Sequence, residues 1–158
     1  MIRSKTLAVL AIAGMAVLLA AAPAAQDAPI MVQPDDVKWG PGSPALPPGA
    51  KMAVIQGDPA KEGPFTLRVK FPADYKIPPH SHPGNETVTV LSGTFHAAMG
   101  DAFDASKTKA MPAGSFVMLP AKNPHFVYIK EETIVQVNAS GPWTLTYVNP
   151  ADDPRKKQ

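Results

Sequence analysis

Beyond Gly49 the chain is punctuated too often to hold a long element. Short runs rich in β-branched and aromatic residues recur at close spacing, with Pro, Gly, Asn and Asp between them. The spacing predicts strands over 51–56, 65–71, 75–80, 86–91, 94–99, 107–110, 115–119, 125–130, 133–138 and 143–148. Some runs alternate cleanly, as with Phe65, Leu67, Val69 and Phe71 against Thr66, Arg68 and Lys70. Such a strand buries one face and wets the other. No window after the first 25 residues has a 3.6-residue apolar period, so the expectation is an all-β fold, a sandwich or barrel of short strands.

Upstream of that region the composition changes twice. Residues 25–49 carry Pro29, Pro34, Pro41, Pro44, Pro47 and Pro48, which remove backbone donors and discourage helix and central strand alike. This stretch reads as a Pro-rich N-terminal arm, with Trp39 expected to pack down on the domain. Residues 1–24 read as a signal peptide: Arg3 and Lys5 give a positive start, Leu7 to Ala22 is uncharged, and Ala22-Pro23-Ala24 offers small residues for cleavage. The apolar run is short beside the roughly 20 residues of a membrane span, so no stable membrane insertion is expected after cleavage. The barrel domain is then expected over 50–150 and a flexible tail over 151–158, in a chain that is periplasmic or secreted.

The composition narrows partners as well. Without residues 1–24 the chain has lost Arg3 and Lys5 and no acid, which leaves thirteen basic against thirteen acidic residues. A balanced charge gives no electrostatic footprint for nucleic acid. Cysteine is absent, so neither a disulfide framework nor a thiolate nucleophile is available, and stability must come from burial and from any bound metal.

Against that background the histidines stand out. His80 and His82 leave the same face of an extended segment while Ser81 points away. Glu86 follows closely, and His125 lies some forty positions on. Imidazole nitrogen and carboxylate oxygen are the donors that divalent first-row metals take, and such a set leaves positions open for water or a substrate. Alternation turns Val127 and Ile129 inward with His125, and Val88 and Val90 inward with Glu86, so the metal would be ringed by apolar side chains. Phe95, Phe116, Met118, Gln136 and the Trp143, Leu145, Tyr147 face are further wall positions, read first as core. The remaining imidazole, His96, is expected outward at the surface.

His80-x-His82-x-x-x-Glu86, followed by Gly93, resembles the first motif of the cupin superfamily; Gly114, Pro120 and His125 resemble the second, with twenty residues between Gly93 and Gly114. The resemblance covers roughly residues 65–140 and implies a cupin-type double-stranded β-helix, a jelly-roll barrel, with His80, His82, Glu86 and His125 on the family's metal-ligand positions. Three family positions differ here: Asp74 and Lys122 stand where Gly is usual and Ile129 where Asn is usual. Asp74 can serve a turn, and Asn123 beside Lys122 tolerates positive φ.

The resemblance also implies one divalent transition metal (Mn, Fe, Ni, Cu or Zn), a small-molecule ligand or substrate, and a homodimer, since small cupin barrels often pair. Two functions stay open at this point. One is an exported metal-dependent oxidoreductase, dioxygenase-like, or an isomerase, acting on a small organic molecule. The other is a non-catalytic periplasmic protein that binds or senses a metal or small ligand. A purely structural metal, or a metal-free polar pocket, would need the same four side chains.

Overall fold

The structure is a computed structural model that describes residues 28–157. The expected signal peptide lies outside the described residues. Among the described residues eleven strands run in the order β1 (Gly40–Pro41), β2 (Lys51–Gln56), β3 (Gly63–Phe71), β4 (Tyr75–Ser81), β5 (Glu86–Ser92), β6 (Thr94–Met99), β7 (Lys109–Pro112), β8 (Phe116–Leu119), β9 (His125–Ile129), β10 (Thr133–Gly141) and β11 (Thr146–Tyr147). They form a six-stranded sheet, β1-β2-β3-β10-β5-β8, and a five-stranded sheet, β11-β4-β9-β6-β7, with every pairing antiparallel. β3 pairs with β10, β4 with β9, β5 with β8 and β6 with β7. That nesting of early strands with late ones is a jelly roll. Among the described residues no helix is long and apolar enough to cross a membrane.

Alternation builds the interior. On β3 Phe65, Leu67, Val69 and Phe71 are buried, and they join Val88, Val90, Phe95, Val127, Ile129, Val135 and Val137 from both sheets in one apolar cluster. Turn chemistry fixes the corners. Gly93 joins β5 to β6 at φ 71°, and a Cβ there would lie 2.5 Å from the Glu132 carbonyl oxygen, so only glycine fits. Asp74 and Lys122, which stand where the motif expects glycine, adopt φ 59° and 58°. Lys122 itself takes the left-handed conformation that the sequence would sooner give to Asn123.

Four expectations need correction. Phe116 and Met118 are not wall residues: they are 65% and 48% exposed, because Val117 and Leu119 are the inward members of β8, opposite Val88 and Glu86. Gln136 also faces outward, where its Oε1 accepts a hydrogen bond from Arg68 Nε at 3.3 Å. His96 does point away from the interior, paired with Tyr128 across β6 and β9, yet it is buried rather than on the surface. That burial, with Lys130 nearby, lowers its pKa, and Glu131 opposes the shift. Of 143–148 only Thr146 and Tyr147 pair as a strand.

The two ends of the domain are more integrated than a linker and a tail. Gly40–Pro41 adds a short edge strand to β2, a position where proline is tolerated. Tyr147 donates its hydroxyl proton to the Ala45 carbonyl at 2.7 Å, and Tyr75 donates to that of Pro47. Burial raises the pKa of both phenols, that of Tyr147 to about 12, which keeps them as donors. Trp39 is partly buried, with Lys70 Nζ 5.0 Å from its ring centroid. At the other end Pro150–Asp152 and Pro154–Lys156 form single 3₁₀ turns, Asp153 is buried, and Arg155 reaches back to residues 144 and 145.

Candidate metal centre

Three imidazoles converge at one end of the interior. β4 and β9 meet in register at His80 and His125, and one ring nitrogen from each of His80, His82 and His125 lies within 4.8 Å of the others. His80 reaches this place through a bulge. Ile77 opposes Val127 and His80 opposes His125, so Pro78 and Pro79 together face a single residue, Phe126. In a regular strand His80, three positions after the inward Ile77, would point outward; the extra residue restores it to the interior. The proline pair suits that place, since neither needs to donate to the ladder.

Each imidazole is oriented by a backbone carbonyl. Nδ1 of His80 donates to the Pro78 oxygen at 2.8 Å, that of His82 to Thr144 at 2.9 Å, and that of His125 to Asn123 at 3.2 Å. A carbonyl can only accept, so these bonds place the proton on Nδ1 and leave the Nε2 lone pairs free. Nε2 of His82 and of His125 is buried without a hydrogen-bond partner. Both approach Glu86 Oε2, at 3.3 and 3.6 Å, without hydrogen-bond geometry. Unpartnered buried nitrogens are costly, and a cation shared between lone pairs is what removes the cost. The donor set therefore fits a divalent metal ion. His80, His82 and His125 form the compact part, and Glu86, at the start of β5, flanks two of them. His96 is not in the group.

Burial holds His80 well below its ordinary pKa, with His125 and His82 pushing the same way and the Pro78 hydrogen bond opposing. Burial also lowers His125, against the pull of Glu86. Both favour the neutral rings that coordination requires.

The cluster opens on an apolar cavity of about 250 Å³. Leu67, Val69, Val88, Phe95, Val135 and Val137 line it from the sheets, Ser43 to Leu46 from the arm, and Trp143 to Leu145 from the segment before β11. Arg155 also touches it. Trp143 stacks on His82, with centroids 4.2 Å apart and planes at 13°, while the edge of Phe65 supports it at 5.7 Å. Sequence reasoning had Trp143 as a wall position read first as core, and it missed the Thr144 carbonyl, whose role has no side-chain signature. It missed Arg155 too, since a terminal Arg-Lys-Lys run reads as solvated.

A jelly roll that gathers imidazoles inside it from the paired strands β4 and β9 and from the residue just after β4 defines a cupin, and the comparisons agree. The family model of the ChrR cupin-like domain matches residues 27–144, and the chain belongs to that family. No curated protein matches it. Among solved structures it is similar to a candidate acetylacetone dioxygenase from Methylibium petroleiphilum PM1, with 21% identity over 82% of this chain and 88% of that one at a TM-score of 0.63. It is also similar to the polyketide cyclase RemF from Streptomyces resistomycificus, with 19% identity over 80% and 89% at 0.61. A third is the DMSP lyase DddQ from Ruegeria pomeroyi DSS-3, with 18% identity over 72% and 61% at 0.56. A dioxygenase, a cyclase and a lyase share this fold, so the fold selects no reaction.

Proposed function

We propose that this chain is an exported metal-dependent cupin that converts a small organic molecule, by dioxygenase-like oxidation ahead of isomerisation. One observation carries the reading: three Nδ1-anchored imidazoles present free Nε2 lone pairs beside an apolar cavity, with a carboxylate at their flank. His80, His82, His125 and Glu86 are the ligands. A divalent transition metal bound there supplies Lewis acidity, or an electron path if it is redox-active.

The chain's own residues set what can enter. Apart from the histidines and Glu86, the cavity offers few polar groups, chiefly Ser43, Thr144 and Arg155. The substrate is then a compact, largely apolar molecule with an oxygen-bearing end, such as a diketone, an enol or a phenol. The arm excludes water on one side, and neutral His80 and His125 add no positive charge beside the cavity. Oxidation is placed first as the chemistry to test, a candidate acetylacetone dioxygenase being among the proteins that share the fold. Export rests on the Arg3, Lys5 and Leu7–Ala22 pattern, and recovery of mature chain from the periplasm or medium, cut near Ala24, tests it.

A second reading, a sensor or store, is favoured by the absence of a clear general acid or base among the cavity residues beyond the proposed ligands. Metal-loaded protein given dioxygen and a panel of small diketones, catechols and organic acids separates the two. Product with oxygen uptake supports the oxidase reading; product without uptake points to isomerisation. Tight metal binding with no product in any mixture would replace both by the sensor.

A further inference from the structure

His82 is the one imidazole of the cluster whose anchoring carbonyl lies far away in sequence. His80 and His125 donate to carbonyls two residues upstream, so their own turns hold them. His82 instead depends on Thr144, 62 residues on, for its Nδ1 bond, and on Trp143 for its stacking face. The orientation of His82 is therefore only as firm as the placement of residues 143–145.

Beside the burial of Leu145, the Phe65 edge on Trp143 and the pairing of Thr146 with Ser81 that follows, two hydrogen-bonded ties hold that segment. On one side the Trp143 amide donates to the Pro59 carbonyl at 2.7 Å. On the other stands Arg155, whose Nη1 donates to Thr144 Oγ1 at 3.3 Å and whose Nη2 donates to the Leu145 carbonyl at 3.0 Å. Arg155 is itself held by Asp153: Nε donates to Oδ1 and Nη2 to Oδ2, both at 2.8 Å, while the Arg155 amide donates to Oδ1 at 3.0 Å. Every guanidinium nitrogen is engaged. A planar fork meeting a carboxylate through two parallel bonds is a rigid arrangement, and lysine could not reproduce it.

We propose that Arg155, braced by Asp153, is a positioning residue for the metal centre: it holds the 143–145 segment so that the Thr144 carbonyl and the Trp143 ring fix His82 in its ligating tautomer and orientation. The proposal rests on the metal-binding reading for its consequence, though the hydrogen bonds it is built on involve protein groups alone. The final residues thus form part of the site from outside it. Partners that orient a ligand histidine typically change metal affinity by about 10–100-fold when removed.

The test uses the full chain, first metal-free and then titrated with Zn²⁺. Imidazole nitrogen signals are resolved by long-range ¹H–¹⁵N NMR in the wild type, Arg155→Gln, Asp153→Asn and, as control, Lys157→Gln. In Arg155→Gln the His82 signals lose their fixed-tautomer pattern while those of His80 and His125 keep theirs, and Zn²⁺ affinity falls at least about tenfold. Asp153→Asn moves in the same direction by less, and it carries the test if Arg155→Gln does not fold. Lys157→Gln matches the wild type. All three imidazoles unchanged in Arg155→Gln, or all three shifting together as in general loosening, would overturn the proposal. A wild type that binds no Zn²⁺ while only His82 shifts in the variant would instead sink the metal reading and leave the positioning role standing.

Discussion

At the residue scale the site is a matter of protons. His80 and His125 are held neutral by burial, so between their lowered pKa values and the ordinary imidazole range, near 6.5, the unfolded chain binds protons that the folded chain refuses. Stability rises with pH wherever the unfolded state binds more protons. The metal-free protein should therefore gain stability as pH increases toward about 6.5 and level off above it, by up to roughly 1.4 kcal/mol per pH unit for each imidazole involved. Urea unfolding at a series of pH values measures this, and a curve flat between pH 5 and pH 7 would mean that the rings are solvated. Substitution separates the proposed ligands from the bystander. His82→Ala and His125→Ala should lose metal, whereas His96→Ala, which alters the opposite face of the sheet, should keep it; equal occupancy in all three, read by elemental analysis, would overturn the assignment. The convergence of His80, His82 and His125 was legible in the sequence because two motifs bracket them. The proton positions were not, since they depend on the carbonyls of Pro78, Asn123 and Thr144.

At the element scale most strands were legible, because alternation such as that of β3 is written in the residue order. β8 was not. Phe116, Val117, Met118 and Leu119 are all apolar, so the period carries no parity, and only the register against β5 decides that Val117 and Leu119 face inward. The bulge at Pro78–Pro79 is similar: the prolines announce a stiff segment but not that two residues oppose one. The arm shows how tertiary contact overrides composition. Its prolines exclude a long regular element, yet Ala45 and Leu46 help close the cavity, and Tyr75 and Tyr147 hold their neighbourhood by hydrogen bonds. Tyr147→Phe leaves the Ala45 carbonyl buried without that donor, at a cost of about 1–3 kcal/mol. Faster amide exchange at Ser43, Ala45 and Leu46, with β3 and β10 still protected, is the expected result; uniform loss of protection would mean that the bond supports the whole fold.

At the scale of the whole molecule a jelly roll of this size buries one core and keeps a hollow beside it, and the imidazole cluster lies where hollow and core meet. With no cysteine to staple it, the fold should gain stability from a metal bound at the proposed site, because a ligand bound only by the folded state raises the unfolding free energy by mass action. Chelation is expected to lower the unfolding temperature of metal-loaded protein, and restoring the metal to recover it; identical melting with and without chelator would place the metal elsewhere. The most direct test of the account is metal content after loading and dialysis, comparing the wild type with His80→Ala, His82→Ala and His125→Ala by elemental analysis. The account predicts about one equivalent of divalent metal per wild-type chain and near-complete loss in each variant. A wild type that retains none, or variants that retain as much as the wild type, would contradict it.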